Sequence, residues 1–284
     1  MCHYILGKVS DLTPKDANGP TPFFKAALYG YFDTCKLIID KVEDKNPECK
    51  SGFTPLFVAA FIGNLNICQY IMKFVESKNP VCNGWEVGGF TSLHAAASNG
   101  HLDICKLIMD NVDEKNPIDN ENKMPLHYAA RKGRLNVSKY LLEFANEKNP
   151  KDSDGRTPLH DFAKHCFLDL CIKLIDMIDD KNPSDNNGKT PLHEAASNSH
   201  WNVCDYLLKL VAEKNPSDLE ICNFFFVIAE EKNPIDDNGR TPFYELARHG
   251  NLNLCKQIME NLDDKNPRDG SGKTPLHEAA QNGT

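Results

Sequence analysis

The sequence predicts an all-α solenoid, made by stacking one small helix-turn-helix unit many times. Two observations carry that prediction. The tripeptide Lys-Asn-Pro occurs eight times, starting at Lys45, Lys78, Lys115, Lys148, Lys181, Lys214, Lys232 and Lys265. The steps between copies are 33, 37, 33, 33, 33, 18 and 33 residues, and a fixed period of this length marks a stacked-repeat architecture. Inside each period the same order recurs: a capped short helix, a longer apolar helix and a polar turn.

The unit around Thr190 shows why. Thr190-Pro191-Leu192-His193-Glu194-Ala195-Ala196 opens the first helix. The threonine hydroxyl can accept a free backbone N–H of the first turn, and proline fits the first helical position, where no N–H partner is lost. The alanine pair lets a neighbouring helix approach closely. In most units this helix stops at a glycine (Gly30, Gly63, Gly100, Gly133, Gly250 and Gly283) suited to a left-handed cap. The second helix carries a broad apolar stripe, as in Leu102, Ile104, Cys105, Leu107, Ile108, Met109 and Val112, wider than one amphipathic face. A repeat flanked on both sides needs that width. Lys115 suits the negative end of this helix, and Asn116, standing before Pro117, ends it. Asp185-Asn186-Asn187-Gly188 then makes a turn.

A net charge of −8 argues against general nucleic-acid binding. No apolar run approaches the ~18 residues of a membrane span, and the start lacks the basic and apolar regions of a signal peptide. Of eleven cysteines, Cys2, Cys35, Cys68, Cys105, Cys171, Cys204, Cys222 and Cys255 share one repeat position, filled by Ser138 in the remaining unit. Helices stacked at ~8–10 Å hold such cysteines too far apart for a disulfide. They read as small buried hydrophobes in a reducing compartment, cytoplasmic or nuclear. No Cys-x-x-Cys pair suggests zinc. The histidines of the first helices, His94, His127, His160, His193 and His277, read as hydrogen-bonding residues beside a capping threonine. No catalytic triad recurs around them and no phosphate loop is present, so neither enzyme activity nor a cofactor is expected.

Thr-Pro-Leu-His-x-Ala-Ala on a 33-residue period resembles the ankyrin repeat. The motif stands at Thr157, Thr190 and Thr274, with near matches at Thr21, Thr54, Thr91, Met124 and Thr241. The resemblance implies a β-turn finger and two antiparallel helices per unit. It also implies a concave face of fingers and first helices that binds other proteins. One departure is systematic: Lys-Asn-Pro closes the second helix where the family uses a glycine turn. The expected organisation is a half repeat at 1–15, ankyrin repeats 1–6 over 16–216, a partial repeat at 217–234, and further repeats over 235–284, the last ending after its first helix.

The two irregular steps have addresses. The step of 37 inserts four residues into the finger at 81–90, which carries Trp85; tryptophan is common in binding hot spots, but this one can equally fold back on its own loop. The step of 18 aligns Leu219-Glu220-Ile221-Cys222 with Leu102-Asp103-Ile104-Cys105. A finger and first helix are therefore missing, skipped in the natural chain or lost in the reading of its gene. A weak joint, with a bend or disorder, is expected near 215–235. Neither end resembles a capping repeat, which suggests a slice of a longer array.

Residues before each Thr-Pro and after each alanine pair change from apolar near the start to basic further on. The expected partner-binding residues are Phe53, Phe61, Trp85, Phe90, Tyr128, Arg131, Lys132, Arg156, Lys164 and Lys189, with the acids placed mainly at second-helix ends. A protein partner with an apolar anchor and acidic residues would complement them; solvated surface charge of no consequence is the competing reading. No nucleic acid, membrane insertion or small-molecule substrate is expected. The leading function is a non-enzymatic scaffold or adaptor. The alternatives are the targeting or regulatory portion of a larger channel, kinase or ubiquitin ligase, and a structural spacer.

Overall fold

A computed structural model describes residues 7–8, 11–17, 19–82, 88–212, 235–250, 252–259, 262 and 264–283. The chain forms two compact units, Met1–Asn146 and Glu147–Thr284. In the first, the helices are α1 (Pro22–Leu28), α2 (Phe32–Ile39), α3 (Pro55–Ile62), α4 (Leu65–Ile71), α5 (Ser92–Asn99), α6 (Leu102–Met109), α7 (Pro125–Arg131) and α8 (Leu135–Phe144). First helices pack in the order α1, α3, α5, α7, and second helices in the order α2, α4, α6, α8. The second unit holds α9 (Pro158–Lys164), α10 (Leu168–Ile175), α11 (Pro191–Ser197), α12 (Trp201–Ala212), α13 (Pro242–Arg248), α14 (Leu252–Met259) and α15 (Pro275–Asn282). Its first helices pack as α9, α11, α13, α15, and α10 packs on α12.

The first helices start as the motif requires. Thr54 Oγ1 accepts from Phe57 N at 3.2 Å, Pro55 takes the first helical position, and Gly63 closes the helix at φ +98°. A side chain at Gly63 would also strike the ring of His101. In two repeats of the second unit the left-handed position is filled by Cys166 (φ 61°) and Ser199 (φ 60°), at the steric cost glycine avoids.

Within each unit, histidines tie one repeat to the next. His94 Nδ1 accepts from Thr91 N at 3.1 Å, so Nε2 carries the proton and donates to Lys123 O at 3.0 Å, one repeat on. His160 repeats the arrangement with Thr157 N (3.2 Å) and Lys189 O (3.0 Å). Burial lowers the His94 pKa from 6.5 to about 4, with the Lys123 carbonyl opposing the shift.

Lys-Asn-Pro bridges two helices. Lys45 Nζ donates to the carbonyls of Ile39 (2.6 Å) and Val42 (2.5 Å), at the end of α2. Lys78 does the same to Met72 and Val75, and Lys181 to Ile175. The adjoining asparagine caps the helix that follows: Asn46 Oδ1 accepts from Leu56 N (2.8 Å), Asn79 from Leu93 N (2.8 Å) and Asn149 from Leu159 N (3.0 Å). One tripeptide thus satisfies free carbonyls behind it and a free amide ahead of it.

Cys35, Cys68, Cys105, Cys171 and Cys204 are fully buried, as is Ser138 at the same position; Cys255 is half-buried. The position is a packing position of the second helix. Cys2 and Cys222 lie outside the described residues.

The lengthened finger is an antiparallel ribbon in which Val81 pairs with Thr91 and Cys82 with Phe90. It absorbs the extra residues, so the Asn79–Leu93 bond is kept across 14 residues where 10 is usual. Trp85 lies outside the described residues.

At the short step the first-helix layer is continuous across the segment. His193 Nε2 donates to Arg240 O at 3.3 Å, 47 residues on rather than 29. Asp237 N donates to Asn187 O at 2.9 Å, the finger-to-finger bond that Asn186 N makes to Asp154 O at 2.9 Å. α13 packs directly on α11. The fingers and first helices on either side of 217–234 are therefore consecutive in space, with no finger or first helix of another repeat between them. The expected bend near 215–235 falls largely outside the described residues.

Candidate protein-binding face

Five fingers are tied by an aspartate: Asp119, Asp152, Asp185, Asp236 and Asp269. Asp152 Oδ1 accepts from Asp154 N and Arg156 N, both at 2.9 Å, and Asp185 accepts from Asn187 N and Lys189 N in the same way. This sets the residue before the first helix, so its side chain lies over the start of that helix.

In the first unit the finger and first-helix face is aromatic. Phe53 and Phe61 are half-buried and flank the buried Phe57, at ring distances of 5.3 and 6.5 Å. Tyr29 and Tyr31 pair at 6.0 Å and are 63% and 61% exposed, and Ile62 is also exposed. Tyr128 is half-buried, its hydroxyl donating to Asp119 Oδ2 at 2.5 Å. Arg131 and Lys132 are exposed at the end of α7. Phe90, expected on this face, is only 2% exposed. It packs against Phe57, His94 and Tyr128 at 6.1, 5.2 and 4.9 Å, because the ribbon turns it into the stack. It offers no surface to a partner.

In the second unit the same face is a ladder of charge. Arg156 was expected to be a free cation facing a partner; it is 15% exposed and saturated. It donates to Glu194 Oε1 at 2.6 Å and Asp161 Oδ1 at 3.0 Å, with Asp185 at 3.5 Å. Burial alone would raise the Glu194 carboxyl, but the Arg156 hydrogen bond and charge outweigh it, and its pKa is lowered. The acids of this unit thus sit beside the bases, and not only at second-helix ends. Lys164 and Lys189 are half-buried at the same face. Sequence reasoning missed this pairing, although an acid directly after the histidine position (Asp161, Glu194, Glu245, Glu278) signals it.

Burial pushes the thiols of Cys35, Cys68, Cys105, Cys171 and Cys204 up to about 12, so none is a thiolate nucleophile at neutral pH. Among the described residues no group of three or more His, Cys, Asp or Glu is placed to hold a metal, and no helix is long and apolar enough to cross a membrane.

The family model described as ankyrin repeats (3 copies) matches residues 1–81, 74–152, 144–218 and 210–284. No curated protein matches the chain. With matches from end to end, and a capped Thr-Pro helix, paired second helix and stacked finger recurring through both units, the chain belongs to the ankyrin-repeat family.

Proposed function

We propose that this chain is a non-enzymatic scaffold that holds a protein partner against its fingers and first helices. The exposed Tyr29–Tyr31 pair, between α1 and α2, is the observation that carries the reading. Exposed aromatics on a rigid support present large contact area at little entropic cost. Arg131 and Lys132 add exposed positive charge to the same unit, and Lys164 and Lys189 belong to the corresponding face of the second. A partner segment with an apolar anchor and acidic residues complements both. Trp85 belongs to the proposed contact set through its place in the long finger. The free, buried cysteines support a reducing compartment, the cytoplasm or nucleus.

Affinity purification from the native cell tests this, comparing the natural chain with Tyr29→Ala/Tyr31→Ala and Arg131→Glu/Lys132→Glu variants. Partners should be retained by the natural chain and lost or depleted by both variants. A partner set unchanged in both would refute the reading.

A further inference from the structure

In the first unit, each turn between a first and a second helix is tied back to the repeat before it. Asn64 Nδ2 donates to Ala27 O at 3.2 Å, His101 Nε2 to Phe61 O at 3.1 Å and Arg134 Nε to Ser98 O at 3.0 Å. Equivalent residues of four consecutive turns therefore stand in register, and two rows run along the stack. One row is Tyr29, Ile62, Asn99 and Lys132, and the other is Tyr31, Asn64, His101 and Arg134. Both pass from aromatic at one end to cationic at the other.

Both ends of the rows are open to solvent. Tyr29, Tyr31 and Ile62 are 63%, 61% and 46% exposed, and Lys132 and Arg134 are exposed, as is Arg131 beside them. No Asp or Glu stands in 28–31, 61–64, 98–101 or 131–134. Asp33 and Asp103 follow in the first turns of α2 and α6, where Asp103 meets Lys106 at 4.0 Å. Asp119 and Glu121 lie at the finger end of α7 and are engaged by Tyr128 and Lys123. The length of α7 keeps that end ~10 Å from Lys132. The turns thus carry positive charge at one end of the rows and no negative charge anywhere along them. Charge confined to one end does not suit a nucleic-acid strand or an anionic lipid surface, which need it along the whole contact. It suits a chain that is apolar at one point and acidic at another.

We propose that a partner segment lies extended across these two rows, with an apolar residue on Tyr29, Tyr31 and Ile62 and acidic residues on Lys132 and Arg134. Tyr29 and Lys132 are three repeats apart. Helices stacked at ~8–10 Å make that roughly 24–30 Å, the reach of about seven to nine residues of extended chain. The inference rests on the protein-binding reading above and gives the partner's apolar and acidic residues their places and their spacing.

The test is selection of a phage-displayed library of random peptides, long enough to cross four repeats, against the full chain. Enriched peptides should carry an aromatic or aliphatic residue and an Asp or Glu about seven to nine positions apart. Selection on Lys132→Glu/Arg134→Glu should keep the apolar residue and lose the acid, and selection on Tyr29→Ala/Tyr31→Ala should do the reverse. A synthetic copy of an enriched peptide should bind the Lys132→Glu/Arg134→Glu chain at least about tenfold more weakly, the scale of one charged hydrogen bond. Doubling its spacer with Gly and Ser should weaken it as well. No enrichment, enrichment without an acid, or an unrestricted spacing overturns the proposal. So does binding of phosphatidylserine vesicles or of an oligouridylate that Lys132→Glu/Arg134→Glu abolishes, which would make the basic end a general anionic-polymer site. If the library yields no such peptide from a chain that still captures partners through Tyr29 and Tyr31, this inference falls and the wider reading stands.

Discussion

Removing residues 217–234 should leave the protein folded and slightly more stable. The deletion joins Pro216 to Ile235, so that Lys214-Asn215-Pro216 runs straight into the Ile235-Asp236-Asp237-Asn238-Gly239-Arg240 finger and the 33-residue step is restored. The contacts that join these repeats are already made across the segment: His193 to Arg240 O, Asn187 O to Asp237 N, and α11 to α13. α12 ends at Ala212. From there to Ile235 the connection is 22 residues (213–234), and the deletion shortens it to 4. Closure entropy scales with the logarithm of length, so this shortening is worth about 1.5 kcal/mol, or a rise of ~3–6 °C in Tm for a unit of this size. Thermal unfolding followed by circular dichroism reads the change directly. A variant that fails to fold, or melts several degrees lower, would show that 217–234 is a structural layer of the stack and would refute the direct-neighbour reading.

Two further perturbations test the interior. His94 is held neutral, its pKa lowered from 6.5 to about 4. As pH falls, the unfolded chain takes up this proton first, so the stability tied to His94 is complete above about pH 6.5 and is lost between 6.5 and 4. The loss at pH 5 is about 2 kcal/mol. Urea midpoints at pH 7 and pH 5 should therefore differ more for the natural chain than for His94→Gln, and equal differences would refute the assignment. Arg156→Ala leaves Asp161, Asp185 and Glu194 without their shared cation, and should destabilise the second unit by about 3–5 kcal/mol. A loss under ~1 kcal/mol in denaturant titration would show the cluster to be solvated.

The repeat, its caps and its cysteine position were legible because each is a local pattern that recurs. A residue that returns every period must meet the same neighbours, so Cys105 and Ser138 could be placed in the core from spacing alone. The short step was legible only in part. The sequence shows that a finger and first helix are missing, but which finger bonds to which across the step, Asn187 to Asp237, is a matter of spatial neighbours that no local pattern states. The face was legible only by layer. Tyr29 and Tyr31 follow an alanine pair and project outward, but Phe90 looks equivalent to Phe53 in sequence and is buried by the ribbon of the longer finger. Arg156 read as a free cation because its partners, Asp161, Asp185 and Glu194, are drawn from two repeats.

The double attachment of Lys-Asn-Pro also bears on how such an array changes length. At Lys45-Asn46 and Lys78-Asn79 the lysine serves the helix behind and the asparagine the helix ahead, so such a copy holds one half of two joints. Excising or duplicating any whole period carries away one half-joint at each cut and restores the other. No carbonyl or amide is stranded, wherever in the period the cut falls. Recombination between copies can therefore lengthen or shorten the protein without a specially placed boundary, whereas a change that is not a multiple of 33 keeps both attachments only where a finger absorbs it, as between Asn79 and Leu93.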